Sequence, residues 1–204
     1  MAKFKSFWSQ LDIVTQAIVC INLLFYIVSI IKNHMSAITG LSRSNMLQTF
    51  AVTGDNNVLS ILTAMFSHAS FMHLLMNMMT LMLLSPILTK YVPTSVYATT
   101  YIISGLVGNI LTRWSQPHMV TMGASGAIYG VIGFLLVIII ISNFTTYFQG
   151  LKRMTNMIFI VVGVNIFYTF CDTHINVVAH LSGLGIGILI AGIFAWRHTQ
   201  QSRG

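Results

Sequence analysis

The sequence holds one serine and one histidine whose surroundings could support nucleophilic chemistry. Ser125 lies in Gly123-Ala124-Ser125-Gly126 at the start of an apolar run, and His180 lies near the start of a later run, from Asn176 to Trp196. A neutral imidazole can take the proton of a serine hydroxyl and later give it to a leaving amine. Polar groups in such runs are functional candidates, because they are costly inside a bilayer.

Each of these residues also has a plainer interpretation. Glycine and serine are common where helices begin, and a lone histidine on an apolar helix is more often a structural hydrogen-bonding group. A helix N-terminus nevertheless favours negative charge, so it would stabilise an oxyanion formed when Ser125 attacks a carbonyl. Tyr129 lies one turn after Ser125 on the same face. It could pack on the imidazole of His180, or it could be an interior tyrosine with its own hydrogen-bond partner.

Acidic residues are too few and too badly placed to complete a catalytic triad. The chain has three, Asp12, Asp55 and Asp172. We expect Asp12 on the opposite side of the membrane and Asp55 in the first outer loop, and Asp172 lies outside a span, eight residues before His180. The sequence therefore predicts a Ser–His dyad with slow turnover, since no carboxylate would stabilise the imidazolium.

A second group of polar residues occupies one face of an earlier apolar run. His73 and Asn77 are spaced i, i+4, and His68 precedes His73 by five residues. They could be metal ligands, structural polar groups, or hydrogen-bond donors to a developing oxyanion. No cysteine or glutamate lies nearby to complete a metal site. The scarcity of acids favours oxyanion donors, and we predict neither a metal nor a cofactor.

Composition indicates an all-α membrane protein. Of the 204 residues, 55% are hydrophobic and 6% are charged, against about 25% charged in soluble domains. A membrane-spanning helix needs about 20 apolar residues. The first apolar run lacks a convincing cleavage site, so we expect it to be a retained span. Six candidate spans are predicted, at 13–31, 71–90, 95–113, 124–142, 155–171 and 176–196.

The basic residues indicate how these spans are oriented. With the N-terminus in the cytoplasm, seven Lys and Arg fall in cytoplasmic segments and three in outer segments. They form no basic stripe, so the net charge of +7 does not predict nucleic-acid binding. We predict a cytoplasmic N-terminus (1–12), a six-helix domain (13–196) with an outer loop (32–70), and a cytoplasmic tail (197–204). The first turns of spans two, four and six then lie together near the outer face.

Small residues indicate which spans approach each other most closely. Span four carries Gly126 and Gly130, and span six has a small residue at every fourth position: Ala179, Gly183, Gly187, Ala191 and Ala195. Such spacing lets helix backbones approach closely in lipid. Close approach of spans four and six would bring Ser125 beside His180.

Three motifs on alternate spans resemble those of the rhomboid family of intramembrane serine proteases. In chain order they are His68-x4-His73-x3-Asn77, Gly123-Ala124-Ser125-Gly126 with Tyr129, and Ala179-His180-x2-Gly183-x3-Gly187. The resemblance implies a six-span bundle with Ser125 as nucleophile and His180 as general base. It also implies that His73, Asn77 and the Ser125 backbone N–H stabilise the oxyanion. Tyr129 would pack on His180.

The function that the resemblance implies is cleavage of a peptide bond in or near a transmembrane segment of another protein. It implies a bacterial plasma membrane as the location, with the active site towards the outer face. One alternative is a non-catalytic relative that escorts membrane clients, which the retention of Ser125 and His180 disfavours. Another is a transporter or channel, which would place polar groups near midspan. The chain departs from the family pattern at Leu59-Ser60, where a Trp-Arg pair is frequent, at Thr89-Lys90, where an acidic residue is frequent, and at Asn176, where a small residue is frequent.

Overall fold

The computed structural model describes residues 7–54, 57–142, 149–171 and 175–201, and these form a bundle of helices. Short helices at Met35–Thr39, Arg43–Gln48 and Ser60–Thr63, with 3-10 turns at Ala64–Phe66 and Gln149–Met154, lie in the connections. Each long helix begins and ends within a few residues of a predicted apolar run. The long helices are α1 (Ile13–Asn33), α2 (Phe71–Thr89), α3 (Thr94–Ser115), α4 (Ser125–Ile141), α5 (Thr155–Cys171) and α6 (Val177–Gln201).

Three of the described helices have the length and apolar character needed to cross a membrane. They are α1, α2 and the Val177–His198 part of α6. The apolar helices α4 and α5 are shorter, with 17 residues each. The 22-residue helix α3 is long enough but less apolar, so length and composition support three of the six predicted spans among the described residues.

The long helices alternate in direction. At one end of the bundle, Asp12 caps α1 by accepting from the Val14 N–H at 2.8 Å, and its other carboxylate oxygen accepts from the Thr94 hydroxyl, at the start of α3, at 2.7 Å. At the other end of α3, the Thr112 hydroxyl accepts a hydrogen bond of 2.8 Å from the Asn176 amide, just before α6. Asp12 is therefore remote from the start of α6. Asp55 and Asp172 lie outside the described residues.

Helix α4 forms the centre of the bundle. Twelve of its 17 residues are buried, and they are distributed around the whole helix. A helix that is apolar all round must be surrounded by other elements, and α2, α3 and α6 pack against it. The position of α4 is thus fixed from several sides.

The first loop has a small core of its own and is attached to the segment that precedes α4. Val52 and Thr121 form an antiparallel bridge with N···O distances of 2.8 and 3.1 Å. The Gly123 N–H donates to the Ala64 carbonyl at 2.8 Å. This packing positions the residues that lead into Ser125. The core of the loop comprises Ala37, Leu41, Ala51, Val52, Ala64 and Met122.

Candidate active site

Ser125 and His180 are in direct contact. Ser125 is the first residue of α4, and His180 lies in the first turn of α6. The distance between Ser125 Oγ and His180 Nε2 is 2.7 Å, within the range of an O–H···N hydrogen bond. His180 is 6% exposed and Ser125 is partly exposed. The two groups that sequence reasoning paired are therefore adjacent at the start of their helices.

Backbone-to-backbone packing of α4 and α6 makes this contact possible. A Cβ atom on Gly183 would overlap the carbonyl oxygen of Gly126, and one on Gly187 would overlap that of Gly130. Any side chain at these positions would force the helices apart. The close approach expected from the small-residue spacing is present.

Tyr129 packs on the imidazole of His180 with nearly parallel rings. The ring centroids are 4.2 Å apart and the planes differ by 13°. The Tyr129 hydroxyl donates to the Asn165 carbonyl of α5 at 2.6 Å and also contacts the Thr169 hydroxyl. Tyr129 is held at both its ring and its hydroxyl, so it restricts the imidazole to one plane.

Thr169 of α5 is a site residue that sequence reasoning missed. Its hydroxyl lies 2.9 Å from His180 Nδ1 and donates to the Asn165 carbonyl at 2.9 Å. The side chain is buried, with 1% exposed. One signal was available, because Asn165 and Thr169 are polar residues spaced i, i+4 in an otherwise apolar run and must share a face.

His73 and Asn77 of α2 lie around Gly123, two residues before Ser125. A Cβ atom on Gly123 would lie 2.8 Å from His73 Nε2 and 3.7 Å from Asn77 Nδ2. The φ angle of Gly123 is +135°, which residues with a side chain disfavour. Both the backbone conformation and the nearby His73 ring therefore require glycine at this position. Asn77 Nδ2 is buried and has no hydrogen-bond partner among the described residues. Asn77 therefore has an unused hydrogen-bond donor close to Gly123.

His68 is buried against the ring of His73. The two rings meet edge to face with centroids 5.0 Å apart, and His68 is 1% exposed. Burial, and secondly the neighbouring His73, lower the pKa of His68 well below its usual value, so its imidazole is neutral at pH 7. Among the described residues, no group of three His, Cys, Asp or Glu side chains has the arrangement of a metal site.

Asn176 forms the N-cap of α6. Its side-chain oxygen accepts from the Ala179 N–H at 3.0 Å, and its amide donates to Thr112 of α3 at 2.8 Å. Asparagine is among the preferred N-cap residues. The cap ties the start of α6 to α3 and thereby helps to position the turn that carries His180.

Comparison with known families identifies the class of membrane protein to which this chain belongs. The chain belongs to the rhomboid family, because the family model described as Rhomboid domain matches residues 55–197, well over half of the chain.

Relatives come from bacteria, plants and a protozoan parasite. The chain is 33% identical over 132 residues to the protein named "Putative rhomboid protease YdcA" of Bacillus subtilis (strain 168), covering 64% of each chain. It is 28% identical over 130 residues to Rhomboid-like protease 3 of Toxoplasma gondii, covering 64% of this chain and 49% of that one. It is 31% identical over 157 residues to RHOMBOID-like protein 7 of Arabidopsis thaliana, covering 74% and 49%. The chain thus spans about half to just under two thirds of these relatives' length.

Proposed function

We propose that this protein is an intramembrane serine endopeptidase that cleaves peptide bonds in or near the transmembrane segments of other membrane proteins. The observation that carries the proposal is the 2.7 Å contact between Ser125 Oγ and His180 Nε2 at the start of two closely packed helices. Family membership supports it, as do two relatives whose names describe them as proteases.

In the proposed reaction, Ser125 attacks the scissile carbonyl while His180 removes its proton. A bond forms between Ser125 Oγ and the carbonyl carbon, and the negative charge moves to the carbonyl oxygen. His180 then gives the proton to the leaving amine, which breaks the peptide bond and leaves an acyl-enzyme. Water, activated by His180 in the same way, releases the second product.

The proposed oxyanion donors lie on the α2 side of the serine. The backbone N–H of Ser125 is one of the free donors at the start of α4. Asn77 Nδ2, which has no partner among the described residues, and the His73 ring beside Gly123 add side-chain donors. Neutral donors of this kind stabilise an oxyanion without an acid, in agreement with the scarcity of carboxylates.

The proposed membrane setting has all six long helices crossing the bilayer, with both termini in the cytoplasm. The active site then lies near the outer face, open to water that hydrolyses the acyl-enzyme. A substrate helix must unwind before its carbonyls become accessible. We therefore expect cleavage at segments rich in Gly, Pro or Ser, which have low helix propensity. A bacterial plasma membrane is the proposed location, with the lipid bilayer and transmembrane proteins as partners.

The experiment that tests this function uses the purified protein in liposomes with a panel of single-span reporter proteins. The reporters differ in the number of Gly, Pro and Ser residues near the outer end of the span. We expect two fragments from the reporters whose spans unwind most easily, with new termini mapped by mass spectrometry in or near the span. A folded protein that leaves every reporter intact would contradict the proposal and favour an escort function.

Replacement of Asn77 by alanine should slow the reaction without disturbing the fold. Loss of one oxyanion donor costs about 10- to 1000-fold in turnover, and we expect kcat to fall within this range. Thermal unfolding should change little, because Asn77 Nδ2 has no partner to lose among the described residues. Unchanged kcat would remove Asn77 from the site, and a fall fully explained by lost folded protein would make its role structural.

A further inference from the structure

We propose that Thr169 is a positioning residue, and that it contacts the ring nitrogen of His180 to which a Ser–His–Asp triad presents its acid. In this assignment, which rests on the proposed function, Thr169 Oγ1 accepts a hydrogen bond from Nδ1–H of His180. The ring is then held in the form whose unprotonated Nε2 faces Ser125. A neutral hydroxyl from α5 does the orienting that a carboxylate does in a Ser–His–Asp triad.

The contacts around Thr169 favour this form of the ring. Thr169 Oγ1 lies 2.9 Å from His180 Nδ1 and donates to the Asn165 carbonyl at 2.9 Å. The tautomer of a histidine is set by the hydrogen bond that its other nitrogen makes. Because the hydroxyl proton of Thr169 is directed to a carbonyl that can only accept, its oxygen lone pairs remain for a donor on His180.

A count of hydrogens leads to the same form. Four polar atoms meet here in four contacts: His180 Nδ1, Thr169 Oγ1, the Tyr129 hydroxyl and the Asn165 carbonyl oxygen. If Nδ1 carries the ring proton, the cluster has three hydrogens for these contacts, and if Nε2 carries it, the cluster has two. The cluster is rich in acceptors, so it is better satisfied when Nδ1 is protonated.

The same contact also stabilises His180 after the ring has taken the proton of Ser125. The Ser125 O–H bond breaks and an Nε2–H bond forms, while Nδ1 keeps its hydrogen and Thr169 neither gains nor loses one. The imidazolium then directs Nδ1–H at an oxygen whose own hydrogen points away, towards Asn165. Charge-assisted hydrogen bonds are stronger than neutral ones, so the contact strengthens as the charge develops. A neutral oxygen does this less well than a carboxylate, in keeping with the slow turnover that the sequence predicts.

Helix α5 presents Thr169 to the site through its bundle-facing side. Ile158 and Val162 are buried at 0% and 4% exposed, and Thr169 follows them on the same helical face. The adjacent Phe167 and Phe170 are 72% and 65% exposed. The packing of α5 therefore directs the hydroxyl at His180 and the neighbouring aromatic residues away from the bundle.

The test compares three single variants of the full chain in liposomes. Thr169→Val removes the hydroxyl and keeps the shape, and Thr169→Ser keeps the hydroxyl. Thr155→Val is the matched control, because Thr155 is at the other end of α5 and also donates to the carbonyl four residues earlier, at 3.3 Å. For each variant, kcat and KM on a cleaved reporter and the thermal unfolding midpoint are measured.

We expect Thr169→Val to lower kcat by about 10- to 100-fold with KM nearly unchanged, as for loss of one hydrogen bond to a charged group. Thr169→Ser should recover most of the rate, and Thr155→Val should match the wild type. If the valine variant does not fold, Thr169→Ala is compared with Thr169→Ser in its place.

Two results would overturn the assignment. One is a folded Thr169→Val with wild-type kcat, and the other is a Thr169→Ser as slow as the valine variant. A structural role alone would lower the unfolding midpoint in both variants and would not be rescued by serine. Failure of the wild type itself to cleave any reporter would contradict the proposed function. A cleaving wild type with an unaffected Thr169→Val contradicts the role of Thr169 alone.

Discussion

Replacing Ser125 with alanine is expected to reduce reporter cleavage by about 10⁴-fold or more, because the group proposed to form the acyl-enzyme is lost. The fold should persist, since Ser125 is partly exposed and its hydroxyl contacts the side chain of His180. The measurement is reporter cleavage in liposomes, with fragments quantified at equal amounts of folded protein.

A matched control for this variant is Ser115→Ala. Ser115 is exposed at the end of α3, and its hydroxyl donates to the Leu111 carbonyl of its own helix at 2.7 Å. We expect this variant to cleave at the wild-type rate. Cleavage by Ser125→Ala within ten-fold of the wild type would end the assignment of Ser125 as nucleophile.

The second large effect is expected when a methyl group is added between the closely packed helices α4 and α6. In Gly183→Ala the new methyl group would overlap the Gly126 carbonyl oxygen, a backbone atom that cannot rotate away. The helices must separate by about 1 Å or more, and a misplacement of this size costs about 100-fold in rate. Overpacking should also lower the free energy of unfolding by about 1–3 kcal/mol.

Gly185→Ala separates this packing effect from the general effect of a methyl group on α6. A Cβ atom on Gly185 meets nothing within 4 Å among the described residues. Alanine is a better helix former than glycine, so this variant should be as stable as the wild type or more so, and equally active. Equal behaviour of the Gly183 and Gly185 variants would show that the close approach of α4 and α6 does not hold the dyad together.

Much of the site could be predicted because its signals are local in the sequence. Apolar runs predict where the long helices begin and end, and small residues at every fourth position indicate which helix faces are in contact. Alternating helix direction then places the starts of α2, α4 and α6 at the same end. These patterns together predict the contact of Ser125 with His180, whereas the stacking of Tyr129 on that ring is what the resemblance to the rhomboid family implies.

The contacts that could not be predicted depend on how distant segments meet. The partner of His180 Nδ1 is set by the rotation of α5 about its axis, and apolar composition alone does not determine this angle. The bridge between Val52 and Thr121 joins segments 69 residues apart and has no local signal. Three of the six predicted spans lack the length or the apolar character of a spanning helix, because α4 and α5 are short and α3 is less apolar.

The capping role of Asn176 shows how a departure from a family pattern can be structural. A small residue at that position could not bridge α6 and α3 as the Asn176 amide does. Because the side chain is buried, at 6% exposed, its polar atoms need these hydrogen-bond partners. Asn176 therefore ties the first turn of α6, which carries His180, to α3.

The most direct test of the dyad is the rate at which a serine-directed phosphonate modifies Ser125, followed by mass spectrometry of the intact protein and its peptides. His180→Ala is compared with the wild type and with His198→Ala, which alters a histidine at the far end of α6. If His180 activates Ser125, modification of Ser125 should be about 10²- to 10⁴-fold slower in His180→Ala, and unchanged in His198→Ala. Equal rates in the wild type and His180→Ala, or modification at another residue, would contradict a Ser125–His180 dyad.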